Sequence, residues 1–439
     1  MGNTLDINKI FEIFLRYPIV CTDTRNIVEN SLFFALKGDN FDANDFAVNA
    51  IESGCKYAIV DNPSIAVDDR FILVDDVLLT LQSLAKKYRQ YLNIPTIGIT
   101  GTNGKTTTKE LINTVLSQKY NVHATKGNLN NHIGVPLTIL SCPTNVDYIL
   151  VEMGANHLGE IADLCEISQP NYGVITSIGK AHLEGFGSFE NIIETKNALY
   201  KYVKNNGGIV FVNAEDALLM RLSENINRVV FGNEKKSDIE NEVIRSVIKK
   251  YHTESIDTDI TVSIKFEGID INSNLFGSYN CFNIATACSV GAFFDVPIDE
   301  IKLAIENYFP TNNRSQIMKT LKNTLVIDAY NANPTSMSLA IESFSKINSD
   351  NKMIIIGGMR ELGEFSDVEH KKIVEELEKL HLDNVILIGK EFNALSKEYK
   401  YFENVEEVVK YLSTKDISWK CILLKGSRGI QLEKLLPLL

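Results

Sequence analysis

The sequence predicts an α/β protein of three domains, and three observations support this expectation. The chain has 439 residues, which exceeds the ~100–200 residues that one domain usually holds. From Ile94 onward, short apolar runs alternate with helix-like stretches, as in a mostly parallel sheet flanked by helices. A turn-rich cluster at residues 309–313 interrupts this alternation, which then restarts.

These patterns divide the chain into domains at residues 1–90, 91–311 and 312–439. The first unit is small, and a polar helical tail ends it near residue 90. The expected strands are at residues 31–36 and 57–60 in the first unit, 94–100, 148–151, 173–178 and 208–212 in the second, and 324–327, 352–356, 384–388 and 421–424 in the third. A helix is expected at residues 367–380.

The composition is that of a folded protein, with 44% hydrophobic and 23% charged residues. A formal net charge of −12 argues against nucleic-acid binding along the surface, since phosphate contacts need clustered Lys and Arg. No apolar run approaches the ~20 residues that span a bilayer, and residues 1–6 lack the features of a signal peptide. We therefore expect a cytoplasmic protein with no nucleic-acid partner and no membrane span, and we expect it to be a monomer.

Seven cysteines are scattered along the chain and include no Cys-x-x-Cys pair. An odd, scattered set of this kind favours reduced core residues over a disulfide framework or a metal site. We therefore expect buried thiols.

The strongest local signal is a glycine-containing segment between an apolar strand and the helical run at residues 109–116, with the sequence Gly101-Thr102-Asn103-Gly104-Lys105-Thr106-Thr107. Glycines allow backbone N–H groups to surround phosphate oxygens, and the helix N-terminus adds positive potential. Lys105 supplies a full charge, and Thr106 offers a hydroxyl to magnesium. The spacing is shorter than the general Gly-x-x-x-x-Gly-Lys-[Ser/Thr] pattern, so an ordinary strand-to-helix turn is the alternative. The strand before and the helix after favour nucleotide phosphate binding.

Two further side chains follow apolar strands, at the edge where open α/β sheets bind ligands. Glu152 follows the run at residues 148–151, and beside a phosphate loop its carboxylate is a candidate magnesium ligand. His182 lies after the run at residues 173–178, and this position is the local argument for a metal role. The alternatives are a solvated glutamate and an ordinary loop histidine.

Lys196 is unusual because it falls on the apolar face of a predicted helix. That face has the i, i+3, i+4, i+7 spacing and consists of Ile192, Ile193, Leu199, Tyr200 and Val203. A buried unpaired ammonium is costly, which favours a neutralised or chemically modified amine. The alternative is a lysine at the edge of the stripe, with a buried stem and a head that reaches water.

Together these residues resemble the Mur ligase family, whose members build the peptide stem of bacterial cell-wall precursors. Residues 101–108 resemble the family's phosphate loop. The resemblance implies magnesium binding by Glu152 and His182, a carbamylated Lys196, and catalytic roles for these three residues and Lys105. It also implies a central P-loop ATPase domain, a C-terminal Rossmann-like domain, and ATP and Mg²⁺ as cofactors.

The resemblance is strongest to the branch that joins D-alanyl-D-alanine to UDP-N-acetylmuramoyl-tripeptide. It covers nearly the whole chain and depends mainly on residues 127–136, 151–157, 181–188 and 328–334. The C-terminal part lacks the Asp-Asn-Pro-Arg string of the branch that adds meso-diaminopimelate. The implied activity is ATP-dependent amide ligation through an acyl phosphate, in peptidoglycan precursor synthesis. The alternatives are another amino acid ligase of the family, a small-molecule kinase and a non-catalytic nucleotide-binding module. The third stem residue, meso-diaminopimelate or lysine, stays open.

The resemblance also implies binding roles elsewhere in the chain. It implies substrate binding, including the UDP-sugar, by Thr24, Arg25, Lys37, Asn130, Asn131, His132, Asn331, Asn333, Lys425, Ser427 and Arg428. It implies nucleotide binding by Asn280, Asn283, Arg314 and Asp328. The chain departs from the family pattern at three places: Asn197-Ala198 follow the lysine where Gly-Glu is usual, and Tyr279 and Asn44 stand where His is common.

Overall fold

The computed structural model of the chain describes residues 6–233, 247–256, 260–349, 351–382, 384–395, 398–418 and 420–439. Residues 1–5, on which the expectation about a signal peptide partly rests, lie outside this range. Within it, no helix combines the length and the apolar character needed to cross a membrane. We refer to residues 6–92, 93–311 and 312–439 as the N-terminal, central and C-terminal parts.

The N-terminal part is a small parallel sheet with helices around it. Its elements are α1 (Ile7–Arg16), β1 (Val20–Cys21), β2 (Leu32–Phe34), β3 (Lys37–Gly38), β4 (Phe41–Asp42), α2 (Ala47–Glu52), β5 (Tyr57–Val60), β6 (Phe71–Leu73) and α3 (Val77–Leu92). The parallel strands follow the order β1-β2-β5-β6, and β3 and β4 form an antiparallel pair. Helix α3 begins where the Asp76 carboxylate accepts a hydrogen bond from the Leu79 N–H (2.7 Å). It ends close to the domain boundary predicted at residue 90.

The central part is a larger sheet with helices between its strands. Its elements are β7 (Thr96–Thr100), α4 (Lys105–Leu116), β8 (Val122–Ala124), α5 (Gly134–Leu140), β9 (Tyr148–Glu152), α6 (Glu160–Ser168), β10 (Tyr172–Ile175), α7 (Leu183–Phe186), α8 (Phe189–Asn205), β11 (Ile209–Asn213), α9 (Ala217–Leu222), β12 (Asn227–Gly232), β13 (Val247–Ile256), β14 (Thr261–Phe266), β15 (Ile269–Phe276), α10 (Asn280–Phe293) and α11 (Ile298–Glu306). Strands β8-β9-β7-β10-β11-β12-β13 are parallel, and β14 and β15 extend the sheet in antiparallel fashion.

The order of these strands determines where a ligand can bind. Strands β8 and β9 lie on one side of β7, and β10 to β13 lie on the other. The helices that follow neighbouring strands therefore diverge at the carboxyl end of β7 and leave a crevice there.

The C-terminal part has its own mostly parallel sheet. Its elements are β16 (Gln316–Lys319), β17 (Thr324–Asp328), α12 (Pro334–Ser345), β18 (Lys352–Gly357), α13 (Ser366–Lys379), β19 (Val385–Ile388), β20 (Lys400–Phe402), α14 (Val405–Leu412) and β21 (Cys421–Lys425). The order is β16-β17-β21-β18-β19-β20, and only β16 is antiparallel to its neighbour. One residue pair, Leu275 with Gln316, connects β15 to β16.

The predicted α/β class and its mostly parallel sheets are confirmed. Each strand expected from the sequence is present, with small shifts at its ends. Strands β1, β3, β4, β6, β8, β12 to β16 and β20 were not predicted, and these include the antiparallel pair β14 and β15. Six of the seven cysteines are buried as expected, whereas Cys281 is half-buried.

Helix α3 is held against the central part by a buried guanidinium. Arg89 is 5% exposed. Its Nε donates to the Ser168 carbonyl (3.0 Å), and its Nη2 donates to the Gln169 carbonyl (3.3 Å) and to Asn171 Oδ1 (3.2 Å). Asn171 Oδ1 also accepts the N–H of Thr96 (2.9 Å), the first residue of β7. These hydrogen bonds therefore connect the N-terminal part to β7, at whose carboxyl end the crevice lies.

Replacing Arg89 by Leu would remove the donor to the buried Ser168 carbonyl and one of the two donors to Asn171 Oδ1. Because a buried unsatisfied polar group costs about 1–3 kcal/mol, we expect Arg89→Leu to lower the midpoint of urea unfolding measured by circular dichroism. The matched control is Lys86→Leu on the same helix, whose ion pair with Glu166 is exposed and contributes little. Equal midpoints for the two variants would contradict the role given to Arg89.

Candidate active site

A cleft at the carboxyl ends of the central strands is lined by residues from all three parts of the chain. Its volume is about 1280 Å³. Its walls are the segment after β7, the ends of β9 and β10, the N-terminus of α10, and the segments at the ends of β17 and β21. Leu79 and Gln82 of α3 line it from the N-terminal part.

The predicted phosphate loop joins β7 to α4, so the expected strand and helix are both present. Gly101 and Gly104 have φ angles of +145° and +80°, and a Cβ atom at Gly101 would collide with Thr176 Oγ1. Gly104 is the N-cap of α4. The first N–H groups of a helix have no intrahelical partners, so this end of α4 suits an anion.

Lys105 is the first residue of α4 and bends back over the loop. Its Nζ donates to the carbonyl oxygens of Gly101 (2.7 Å) and Thr102 (3.1 Å). Burial in the cleft lowers the pKa of Lys105 to about 8, while the Glu152 carboxylate opposes this shift and the Arg314 guanidinium adds to it. An anion bound at the loop would favour the charged form of this amine.

Glu152 ends β9 and is 1% exposed. Its Oε1 accepts hydrogen bonds from Asn130 Nδ2 (2.9 Å) and Thr106 Oγ1 (3.2 Å). Its Oε2 is buried and has no hydrogen-bond partner among the described residues. A buried carboxylate oxygen is costly unless a donor or a cation approaches it. This oxygen and the Thr106 hydroxyl are the hard ligands that magnesium prefers, so the residues fit such an ion.

His182 lies on the loop after β10 in a left-handed backbone conformation, with φ of +50°. Its Nδ1 contacts Oε2 of Glu361, on the loop after β18, and this contact lowers the pKa of Glu361. Over the described ranges, no three His, Cys, Asp or Glu side chains are grouped as a metal site would need. His182 therefore contacts the C-terminal part, and its metal role stays a prediction.

Lys196 lies on α8 and is 3% exposed. The apolar face around it is present, with buried Ile192, Leu199, Tyr200 and Val203. Its Nζ lies 5.6 Å from the centre of the Phe186 ring. Burial lowers the pKa of Lys196 to about 7, an effect that Lys105 strengthens and Glu160 opposes. The amine is thus buried rather than solvated, which disfavours a lysine head that reaches water.

The C-terminal part brings a second set of charged side chains to the cleft. Lys425 is 1% exposed; its Nζ pairs with Asp328 Oδ2 (2.9 Å) and donates to the Asn331 carbonyl (2.8 Å). The Arg314 guanidinium lies over the Tyr330 ring, 3.8 Å from its centre. These side chains line the same cleft as the phosphate loop.

One asparagine pair joins the phosphate loop directly to the C-terminal part. Asn333 Nδ2 donates to Asn103 Oδ1 (2.8 Å). Asn333 Oδ1 accepts the Ser336 N–H (2.9 Å) and so caps α12. The side chain of Asn333 is engaged on both sides, and the substrate role expected for it stays a prediction.

Asn280 and Asn283 lie on the first turn of α10 and line the cleft. Asn280 Nδ2 donates to the Phe276 carbonyl (2.7 Å) and to Ser315 Oγ (2.9 Å), and its Oδ1 accepts from Asn283 Nδ2 (2.7 Å). Asn283 Oδ1 accepts from Thr108 Oγ1 (3.0 Å). Both amide hydrogens of Asn280 are therefore used within the protein, so Asn283 is the better placed of the two to contact a nucleotide base.

The structure does not bring every predicted site residue to this cleft. Asn130, Asn131 and His132 line it, whereas the following do not: Gly101, Lys196, Thr24, Arg25, Lys37, Ser427 and Arg428. In the N-terminal part, Arg25 pairs with Asp23 (2.8 Å) and Lys37 pairs with Asp61 (2.9 Å). Their roles in UDP-sugar binding stay predictions.

Known proteins resemble this chain over most of its length. Residues 99–291 match the Mur ligase middle domain, and residues 313–428 match the Mur ligase glutamate ligase domain. The UDP-N-acetylmuramoyl-tripeptide–D-alanyl-D-alanine ligase of Bacillus subtilis is 34% identical, over 95% of this chain and 92% of its own. The chain belongs to the Mur ligase family. The ligase of the same name from Escherichia coli is 31% identical, over 94% of this chain and 92% of its own. The crystal structure of the MurF ligase of Thermotoga maritima in complex with ADP has a TM-score of 0.84 at 27% identity, over 97% of both chains.

Glu361 and Tyr330 line the cleft of this Mur ligase, and neither was given a role from the sequence. Glu361 follows strand β18 and the pair Gly357-Gly358. The strand-end rule that identified Glu152 would have found it if applied to the third domain. Tyr330 lies within the string at residues 328–334, but nothing in the sequence shows that Arg314 stacks on it.

Burial of the Lys196 amine is expected to lower the free energy of unfolding of this Mur ligase, because the charged form of the amine is disfavoured in the folded state. Between its lowered pKa of about 7 and the ordinary lysine value of ~10.4, the unfolded chain binds more protons than the folded one. The penalty that this residue places on stability is therefore largest below pH 7 and fades as the pH rises toward 10.

We expect Lys196→Met to raise the free energy of unfolding by about 4 kcal/mol at pH 7, since each pKa unit corresponds to about 1.4 kcal/mol. The gain should shrink at pH 10. Urea unfolding at both pH values, in buffer free of carbon dioxide, measures it. Lys201→Met is the control, because Lys201 lies exposed on the same helix. A Lys196→Met protein less stable than wild type at pH 7 would refute this expectation.

Proposed function

We propose that this Mur ligase joins D-alanyl-D-alanine to UDP-N-acetylmuramoyl-tripeptide at the expense of ATP, in the synthesis of peptidoglycan precursors. The observation that carries the proposal is the single cleft that brings the phosphate loop together with residues of the other two parts. Such a cleft suits a reaction of three substrates. The names of the two relatives and the ADP complex support the choice of substrates. We infer that the enzyme acts in the cytoplasm as a monomer.

The proposed reaction has two steps. A carboxylate oxygen of the peptide stem attacks the γ-phosphorus of ATP, and the bond from that phosphorus to the bridging oxygen breaks, which releases ADP. The amine of D-alanyl-D-alanine then attacks the carbonyl carbon of the acyl phosphate. The C–N bond forms, the C–O bond to phosphate breaks, and the amine nitrogen loses a proton.

The protein contributes positioning and charge stabilisation to both steps. Lys105 lies where the phosphate groups of ATP would approach the loop, and Arg314 and Lys425 line the same cleft. These three cations offset the repulsion between a carboxylate and a triphosphate. Asn103 and Asn333 keep the loop and the C-terminal part in register.

We assign Mg²⁺ binding to Thr106, Glu152 and His182, with Lys196 as a carbamate. The buried Glu152 Oε2 and the neighbouring Thr106 hydroxyl support this assignment. When bound, the ion neutralises charge on the phosphate oxygens. A carbamate forms when a neutral amine adds carbon dioxide and loses a proton, and a pKa of about 7 keeps the neutral form of Lys196 available.

Phosphate release from ATP, measured together with incorporation of labelled D-alanyl-D-alanine, tests the function. We expect both only when ATP, UDP-N-acetylmuramoyl-tripeptide and the dipeptide are all present. A stable phosphorylated product formed without the dipeptide would indicate a kinase, and nucleotide binding without turnover would indicate a non-catalytic module. Incorporation of a free amino acid instead would indicate another branch of the family. Tripeptides ending in meso-diaminopimelate and in lysine, assayed in parallel, determine the third stem residue.

The phosphate-loop assignment predicts the effect of removing one amine. We expect Lys105→Ala to lower turnover by at least about 100-fold, the size typical for loss of a charge-stabilising group. The fold should persist, because the side chain lies at the loop and not in the core. Lys119→Ala, at an exposed lysine beyond the other end of α4, is the control. Near-normal phosphate release by a folded Lys105→Ala would refute the assignment.

The carbamate assignment predicts chemical rescue. We expect Lys196→Ala to lose activity and short carboxylic acids to restore part of it, because the acid supplies the missing oxygens. Carbon-13 NMR with labelled carbon dioxide should show a carbamate signal in wild type that is absent from Lys196→Met. A fully active Lys196→Ala, with no carbamate signal in wild type, would leave Lys196 as an unmodified buried amine.

A further inference from the structure

Tyr279 and Ser315 form a contact between the central part and the C-terminal part, at the nucleotide end of the cleft. Tyr279 directly precedes α10, and Ser315 directly precedes β16. The Tyr279 hydroxyl oxygen lies 3.1 Å from Ser315 Oγ. Both residues line the cleft, and the proposed reaction gives neither of them a role.

All the polar atoms of Ser315 are bonded to other residues of the protein. Its Oγ accepts from Asn280 Nδ2 (2.9 Å), which leaves its hydroxyl proton available for the Tyr279 oxygen. Its carbonyl accepts the Phe276 N–H (3.0 Å), and its own N–H donates to Asp328 Oδ1 (3.2 Å). One residue therefore bonds to the central part through its hydroxyl and carbonyl, and to Asp328 through its amide.

The local backbone is shaped around this pair. Ser315 is 3% exposed and has φ of +48°, a conformation that residues other than glycine rarely adopt. Gly277 has φ of +90°, and a Cβ atom there would collide with the Tyr279 ring. The ring therefore fits only because residue 277 has no side chain.

Ser315 also belongs to a continuous series of hydrogen bonds through the cleft wall. The series runs from Thr108 on α4 through Asn283 and Asn280 to Ser315 and then Asp328. Asp328 in turn pairs with buried Lys425 at the end of β21. The helix that follows the phosphate loop is thus connected to the charged pair of the C-terminal part.

We propose that Tyr279 and Ser315 are positioning residues that hold Asp328 and Lys425, and with them the C-terminal part, in register with the nucleotide-bound central part. This inference rests on the proposed function for its catalytic consequence. The phenol stands at a position where the family commonly has histidine. Neither side chain is assigned to bond making or bond breaking.

Two variants remove the contact, and each also removes one neighbouring hydrogen bond: that between Tyr279 and Asp328 in one case, and that from Asn280 Nδ2 to Ser315 in the other. Tyr279→Phe keeps the ring and deletes one hydroxyl, and Ser315→Gly deletes the other while fitting the left-handed backbone. We expect each to lower kcat for amide formation by about 3- to 10-fold, the range typical of one lost hydrogen bond, with KM for ATP changed less than about twofold. The double variant should lose less kcat than the product of the two single fold-losses, since both delete the same contact.

The matched control is Tyr120→Phe. The Tyr120 hydroxyl donates to the Phe294 carbonyl (2.7 Å) inside the central part, so its loss removes a comparable bond away from the junction. We expect kcat in Tyr120→Phe to equal that of wild type. Small-angle scattering with added ADP gives a readout that is independent of ligation, and Tyr279→Phe should have a larger radius of gyration than wild type or Tyr120→Phe.

The outcomes separate the two proposals. Wild-type kcat and wild-type scattering in Tyr279→Phe would overturn the positioning role, as would additive losses in the double variant. A raised KM for ATP with unchanged kcat would overturn it too, because the tyrosine would then only shape the nucleotide site. Failure of wild type to form the labelled amide would overturn the proposed function, while an expanded Tyr279→Phe would still support the contact between the two parts.

Discussion

The cleft depends on the position of β7 in the sheet. Strands β8 and β9 lie on one side of β7, and β10 to β13 lie on the other. The helices on the two sides diverge at its carboxyl end and leave a crevice there, and the segment after β7 lines it. The phosphate loop occupies that position because α4 follows directly. Glu152 ends the neighbouring strand on one side, and His182 follows the neighbouring strand on the other. The strand order alone therefore places the phosphate loop, Glu152 and His182 at one edge of the sheet, without any contribution from the C-terminal part.

Several polar groups in and around this cleft are held in states that a stable core would avoid. The Glu152 Oε2 atom is buried with no donor in the part of the chain that the structure describes, and the amine of Lys196 is buried on an apolar helix face. Lys425 is also buried but is paired with Asp328, which offsets its cost. The proposed magnesium ion would compensate for the burial of the Glu152 oxygen, and the proposed carbamate would compensate for that of the Lys196 amine. Burial lowers the pKa of the Lys196 amine to about 7 and so favours the neutral amine that the proposed carbamate requires.

Features whose signal lies within a short stretch of chain could be predicted from the sequence. The phosphate loop, Glu152 and the apolar face around Lys196 are each recognisable from neighbours within one strand, one turn or one helix. Features that depend on a contact partner far along the chain were predicted less completely. The antiparallel strands β14 and β15 were not predicted, and Asn280, expected at the nucleotide, has both amide hydrogens engaged by other protein groups.

By itself, the sequence determined the α/β class, the parallel strands, the position of the phosphate loop and the residues at the strand ends, because hydrophobic periodicity and glycine placement are local properties. Tertiary structure alone decided that Asn333 meets Asn103, that Glu361 contacts His182 and that Tyr279 meets Ser315. Each of these pairs connects the central and C-terminal parts. Their contacts depend on how two independently formed sheets are placed against each other, which no local pattern specifies.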